Sequence, residues 1–315
     1  MLNNDLRSSL VLSLLGPVQA WHGGTELDLG SRQQRTTLAM LLLREGAVAT
    51  LDELVAGMWG DAPPSSAVTT IRTYVSRLRA VLAAAGAAAQ LNSVGGGYTL
   101  QVAEDALDVT RFGRHTTRAA EAARRGDWRT VVAEQTAALQ LWRGQPLAGS
   151  PGPYAHGQRT RLQQLGMTAR IDLLTAQVQL GLYSEILPEL SAMAAAHPLW
   201  EDVQALHMTA LYGNGRAAEA LEQYQRARRA LVDELGIEPG VRLRTVHQRI
   251  LASDPSLAAV PAAAVPAAPV VTPINRNSLR PATVLRGRHH ARISRRRIVA
   301  PVPQGTSPAH RDHVR

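Results

Sequence analysis

The chain has no cysteine among its 315 residues. Disulfides, thiol nucleophiles, iron–sulfur clusters and Cys-ligated zinc are therefore excluded together. Lysine is missing as well, since all 34 basic residues are Arg. That removes the P-loop lysine, Schiff-base chemistry and the ATP-pairing lysine of kinases. Aromatic residues make up 4%, with Phe112 the single Phe, so Leu, Val and Ala must fill the cores. No apolar run approaches the roughly 20 residues of a spanning helix. Arg7, the apolar residues 10–15 and Val18-Gln19-Ala20 imitate a short signal peptide. Asp5, Ser13 and Gly16-Pro17 interrupt that pattern, and Leu10, Leu12 and Leu14 alternate like a strand face. A cytoplasmic protein without a membrane partner is expected.

What is present is an ordinary globular mixture, 45% hydrophobic and 19% charged, with room for about two domains at roughly 150 residues each. The net charge of +9 is unevenly placed. Residues 1–103 hold 7 Arg and 7 acids, and residues 104–254 hold 17 of each. Residues 255–315 hold 10 Arg and one acid, Asp312, which accounts for the whole excess. A nucleic-acid role for the body must rest on where its Arg residues fall, not on bulk charge.

Residues 10–15, 18–21 and 25–29 read as short strands, with His22-Gly23-Gly24 as a hairpin turn. Ser31 caps a helix to about Arg44 that carries Leu38, Leu41 and Leu42 on its inner stripe. Thr50 and Glu53 form a Thr-x-x-Glu capping box for a second helix ending at Trp59-Gly60. After the Asp61-Ala62-Pro63-Pro64 turn, Ser65 or Ser66 opens a third helix to about Ala84. Its apolar stripe is Val68, Ile71, Val75, Leu78 and Leu82. Residues 91–94 and 98–102 read as a hairpin around Gly95-Gly96-Gly97. Two short helices, a rigid turn, a longer Arg-bearing helix and a hairpin suggest a helix-turn-helix variant with a wing.

Helical periodicity then covers residues 109–125, 127–142, 154–180, 184–196, 199–212, 217–235 and 241–251. The helices pair at about 30–35 residues, a tetratricopeptide-like period, with Trp128, Trp142 and Trp200 as core anchors. Stacked pairs of this kind present a concave face suited to a partner protein or peptide. The fold class is mainly α: a winged helix-turn-helix with a small sheet and wing at 1–103, and a tetratricopeptide-like helical domain at 104–254. A disordered tail occupies 255–315, Pro/Ala-rich and then Arg-rich.

On the third helix the apolar stripe turns Thr69, Arg72, Thr73, Ser76, Arg77 and Arg79 outward, with Tyr74 beside them. A major groove admits one helix, where Arg contacts guanine bidentately and Thr meets a thymine methyl. Arg79 sits further along, nearer a phosphate. A solvated helix face is the plainer reading of the same periodicity. Gly95-Gly96-Gly97 does not cradle a phosphate, since it lies in a hairpin with no lysine and no helix behind it. The ten His show no metal-ligand spacing, and no Gly-x-Ser-x-Gly elbow appears. No catalysis, metal or cofactor is implied.

Gly30-Ser31-Arg32-Gln33-Gln34-Arg35, Met58-Trp59-Gly60, Thr73-Tyr74-Val75-Ser76-Arg77-Leu78-Arg79 and Gly97-Tyr98 together resemble an OmpR-type winged helix. Leu141-Trp142-Arg143-Gly144-Gln145-Pro146-Leu147, His197-Pro198-Leu199-Trp200-Glu201, Ala210-Leu211-Tyr212 and Glu234-Leu235-Gly236-Ile237-Glu238-Pro239-Gly240 are similar to the bacterial transcriptional activation domain. That pairing, in this order over about residues 8–252, resembles the Streptomyces antibiotic regulatory protein family. The resemblance implies an activator of an antibiotic gene cluster. Such a protein binds promoter direct repeats in double-stranded DNA as a homodimer and recruits RNA polymerase through its sigma factor. It also implies that Arg77 reaches bases and Arg79 a phosphate, that Thr69, Arg72, Thr73 and Tyr74 face the groove, and that Ser93 contacts the backbone at the wing base. One departure stands out: the family's wing reads Thr-Arg-Pro-Pro-Gly-Tyr, where this chain has Ser93-Val94-Gly95-Gly96-Gly97-Tyr98. The alternative is a helical-repeat adaptor with a degenerate winged helix.

Overall fold

The computed structural model describes residues 10–84 and 89–257. Three strands open the chain: β1 (Leu10–Ser13), β2 (Gln19–His22) and β3 (Thr25–Glu26) form an antiparallel sheet in that order. Helix α1 (Arg32–Leu42) starts at Ser31, whose hydroxyl accepts the Gln34 N–H. Helix α2 (Leu51–Trp59) is closed by the reciprocal capping box of Thr50 and Glu53, so two orphan donors are satisfied before the first turn ends. Helix α3 (Ala67–Ala84) follows the Pro-rich turn.

The hairpin is β5 (Gln90–Val94) and β6 (Gly97–Gln101). Gly95 and Gly96 both have positive φ, 54° and 80°, as a two-residue type I′ turn requires. Proline, locked near −65°, cannot take either place, so the Gly-Gly departure builds a different turn. A strand not legible in the sequence, β4 (Ala49–Thr50), pairs with β6 to give the order β4-β6-β5. Thr50 lies opposite Gly97, and a Cβ on Gly97 would stand 2.3 Å from the Ala49 carbonyl. Only glycine allows that approach.

The helical segment comprises α4 (Asp108–Arg124), α5 (Trp128–Gln140), α6 (Pro153–Gln179), α7 (Tyr183–Ala196), α8 (Glu201–Gly213), α9 (Ala217–Leu235) and α10 (Val241–Leu251). Consecutive helices pack on one another through this series, as a repeat architecture requires. Each expected helix is present to within two residues at either end.

The cores do not divide where the sequence changes character. One core runs from Leu10 to Leu173, joining Leu12, Leu38, Ile71 and Leu100 to Phe112, Trp142 and Leu162. A second holds Leu174 onward, with Leu190, Val203, Leu211 and Leu243 fully buried in it. β1 and the turn after it are inlaid in the helical segment: Leu12 bridges Leu107 and Pro17 bridges Ala148, both parallel. The Arg143 N–H donates to the Leu15 carbonyl and the Leu147 N–H to the Leu14 carbonyl, at 2.8 and 3.0 Å. Asp108, 5% exposed, accepts from the Leu14 N–H, the Leu15 N–H and the Ser13 hydroxyl, each at 2.9 Å. Burial raises its carboxyl above the ordinary value, and these hydrogen bonds pull the other way.

Three expectations need amendment. Trp142 is buried and meets Phe112 edge-on at 5.7 Å, but Trp200 is 42% exposed and stacks on His197. Val68 is 38% exposed, and Ala67 takes its place in the buried stripe of α3, because the helix enters its packing one residue earlier. Pro255–Leu257, assigned to the tail, forms a helical turn that buries Leu257 in the second core. The rest of the tail, 258–315, lies outside the described residues.

Candidate nucleic-acid interface

α3 packs its inner stripe, Ala67, Ile71, Val75, Leu78 and Leu82, on α1 and α2. α6 of the helical repeat packs on α1 and α2 as well. The outer face of α3 stays open: Thr69, Arg72, Thr73, Ser76, Arg77 and Arg79 are all exposed. The helix is 18 residues long, about 27 Å at 1.5 Å per residue. It carries three Arg and no acid, so a locally positive ridge exists on a segment whose charges cancel overall.

The ridge residues are not equivalent. Arg72 and Arg77 make no hydrogen bond or ion pair with any described residue, which leaves all their N–H donors for a ligand. Arg79 is partly engaged: its Nε donates to the Leu91 carbonyl at 2.9 Å and its Nη2 to the Ser93 hydroxyl at 3.2 Å. It ties the C-terminal half of α3 to β5 and brings together the two residues expected at phosphates. The Thr73 hydroxyl is turned back on the Thr69 carbonyl at 2.9 Å. Tyr74 is half-buried, with its hydroxyl donating to Gln33 Oε1 at 2.7 Å. It braces α3 against the first turn of α1. Val94, at the wing tip where the family pattern has Arg, is 46% exposed.

Two features are not legible in the local sequence pattern. Val68 joins the exposed ridge beside Thr69 and Arg72; its place in a 3-and-4 stripe concealed it. Asp108 joins the winged helix to the repeat, and no local pattern distinguishes it from any other acid at a helix start. Among the described residues no helix is long and apolar enough to cross a membrane.

Residues 24–100 match the family model described as transcriptional regulatory protein, C terminal, and residues 107–251 match bacterial transcriptional activator domain. The regulatory protein DnrI of Streptomyces peucetius is 35% identical over 254 residues, covering 78% of this chain and 93% of DnrI. The regulatory protein AfsR of Streptomyces coelicolor is 44% identical over 277 residues, covering 88% of this chain and 27% of AfsR. The chain thus spans about a quarter of the length of that relative. A solved structure, Mycobacterium tuberculosis EmbR in complex with a low affinity phosphopeptide, is similar with a TM-score of 0.73 and 32% identity, covering 78% of this chain and 65% of that one. With an exposed Arg ridge on a winged helix, a stacked helical segment behind it and relatives of this kind, the chain belongs to the Streptomyces antibiotic regulatory protein family of transcriptional regulators.

Proposed function

We propose that this protein activates transcription of a secondary-metabolite, antibiotic-type gene cluster by sequence-specific binding to direct repeats at promoters. α3 enters the major groove. Arg72 and Arg77 reach base edges, Thr69, Thr73 and Val68 offer methyl contacts, and Arg79 with Ser93 meets the phosphate backbone at the wing. Tyr74 sets the helix rather than touching a base. Two copies occupy the repeats, and the complex recruits RNA polymerase through contacts that include its sigma factor.

The observation that carries this reading is the pair of unengaged guanidinium groups, Arg72 and Arg77, on a helix face the repeat leaves open. Arg159, by contrast, is tied to the Pro146, Leu147 and Ser150 carbonyls. The adaptor reading draws on one specific observation, Val94 at the wing tip, which removes a cation from the minor-groove approach. A gel-shift titration with promoter fragments separates the two. An activator shifts specific DNA, and Arg77→Ala weakens that binding by about 1–3 kcal/mol; an adaptor shows no specific shift to lose. Protected half-site spacing then reports the assembly on DNA.

A further inference from the structure

α7 and α9 both pack on α8, and a groove runs between them over the middle of α8. It has two lobes of about 370 and 390 Å³, and Ser191, His207 and Arg226 border both.

His207 is 6% exposed, and its Nδ1 is buried with no hydrogen-bond partner among the described residues. A buried imidazole left unpaired loses its hydration without replacement. Burial and the nearby Arg226 and Arg216 push its pKa down to about 4, so at neutral pH it offers one N–H and one lone pair. Beside it two more buried polar side chains are locked in place. Gln204 Nε2 donates to the Ala194 and His197 carbonyls at 3.0 Å, and Gln223 Nε2 donates to Gln204 Oε1. Gln223 Oε1 in turn accepts from Arg226 Nε and Nη2 at 3.1 and 2.8 Å.

This relay fixes the Arg226 guanidinium at the groove without neutralising it, since Arg226 has no carboxylate partner among the described residues. Arg216, at the far end, is already paired with Glu219. The side chains that α7 contributes are uncharged. The groove therefore holds one uncompensated positive charge next to one unsatisfied imidazole. Its walls are mixed: Leu187, Pro188, Ala194, Leu211 and Ala227 supply apolar surface, and Ser184, Ser191 and Asn214 add polar groups. Each lobe is within the size range of small-molecule pockets.

We propose that the groove binds a small molecule with an apolar body and a single carboxylate, the carboxylate bridging Arg226 and His207. Its negative charge favours the imidazolium, so binding takes up a proton and strengthens as pH falls from 7 toward 5. Arg216 opposes that uptake and Glu219 assists it.

The test uses the full chain with ¹⁵N-labelled histidine side chains, the His207 resonances being assigned by comparison with His207→Leu. Benzoate, phenylacetate and decanoate are titrated, each beside its uncharged amide. The expected result is a saturable shift of the His207 resonances with at least one carboxylate and with none of the amides. Arg226→Gln weakens that binding about tenfold, the effect of removing a charge-assisted hydrogen bond. Arg228→Gln, on the same helix but paired with Glu238, leaves it unchanged. The proposal fails if no carboxylate saturates at millimolar concentration, if the amides bind equally, or if Arg226→Gln binds like wild type. It also fails if only an acidic peptide such as acetyl-Asp-Glu-amide moves the resonances, since the occupant is then a peptide. DNA is absent throughout, so failure here leaves the regulator reading standing.

Discussion

Asp108 and Leu14 are 94 residues apart in the chain, and the Asp108 carboxylate accepts the Leu14 N–H at 2.9 Å with both of its oxygens. The same group takes the Leu15 N–H and the Ser13 hydroxyl. The end of the first strand is thereby held at the N-terminus of α4, where the helix dipole also favours a negative charge. One carboxylate satisfies the backbone donors where the winged helix meets the repeat.

Removing it leaves those donors buried and unpaired. Asp108→Ala is expected to cost about 2–4 kcal/mol of stability, with Asp108→Asn losing less because one acceptor remains. Urea denaturation followed by circular dichroism measures both. A loss below 0.5 kcal/mol would show that water replaces the carboxylate.

Arg77 and Arg79 predict different phenotypes. Arg77→Ala should reduce affinity for the operator while leaving non-specific binding nearly intact. Arg79→Ala frees β5 from α3, so affinity should fall by a similar amount on every sequence, and amide exchange in residues 91–94 should quicken. Competition gel shifts with specific and random duplexes, paired with hydrogen exchange, distinguish base reading from support of the wing.

The wing turn offers a stereochemical test. Gly97→Ala places a methyl 2.3 Å from the Ala49 carbonyl and should lower stability by about 1–3 kcal/mol through strain. Gly95→Pro, at φ 54°, is incompatible with the turn, whereas Gly95→Asn is tolerated because Asn visits that region. Thermal unfolding of the three variants should rank Asn well above Ala and Pro.

His207 makes the second core sensitive to acid. Its folded pKa of about 4 lies below the ordinary 6.5, so between those values the unfolded chain binds the proton and the native state does not. Stability contributed by the neutral ring is complete above 6.5 and is lost as pH falls toward 4, by about 2–3 kcal/mol. Wild type should lose that much more stability than His207→Leu between pH 7 and 4.5. Equal losses would place the acid sensitivity elsewhere.

The tail carries the excess charge, 10 Arg against Asp312. Truncation after Leu257, which spares the residue buried in the second core, should flatten the dependence of DNA affinity on salt because fewer counterions are released. An unchanged slope in gel shifts from low to moderate salt assigns the tail no part in DNA binding.

The helices were legible because their causes are local. Thr50 and Glu53 cap α2 from three residues apart, α9 ends at the Gly236 that takes a left-handed conformation, and the spacing of Ile71, Val75, Leu78 and Leu82 turns Arg72 and Arg77 outward in any packing that buries the stripe. The order of those local features, read as a resemblance, also indicated the family. The rest was set by pairs distant in the chain. The two-residue strand β4 exists because β6 lies beside it, and one core passes residue 103 because β1 and the turn after it pair with Leu107 and Ala148. Arg79 engages Leu91 and Ser93 across a turn, and His207 stands without a partner only once α7 and α9 close over α8. Periodicity and capping specify each element and which way its side chains face. Which polar groups find partners, and which are left for a ligand, is decided only when non-local elements meet, since burial and hydrogen bonding belong to the assembled chain.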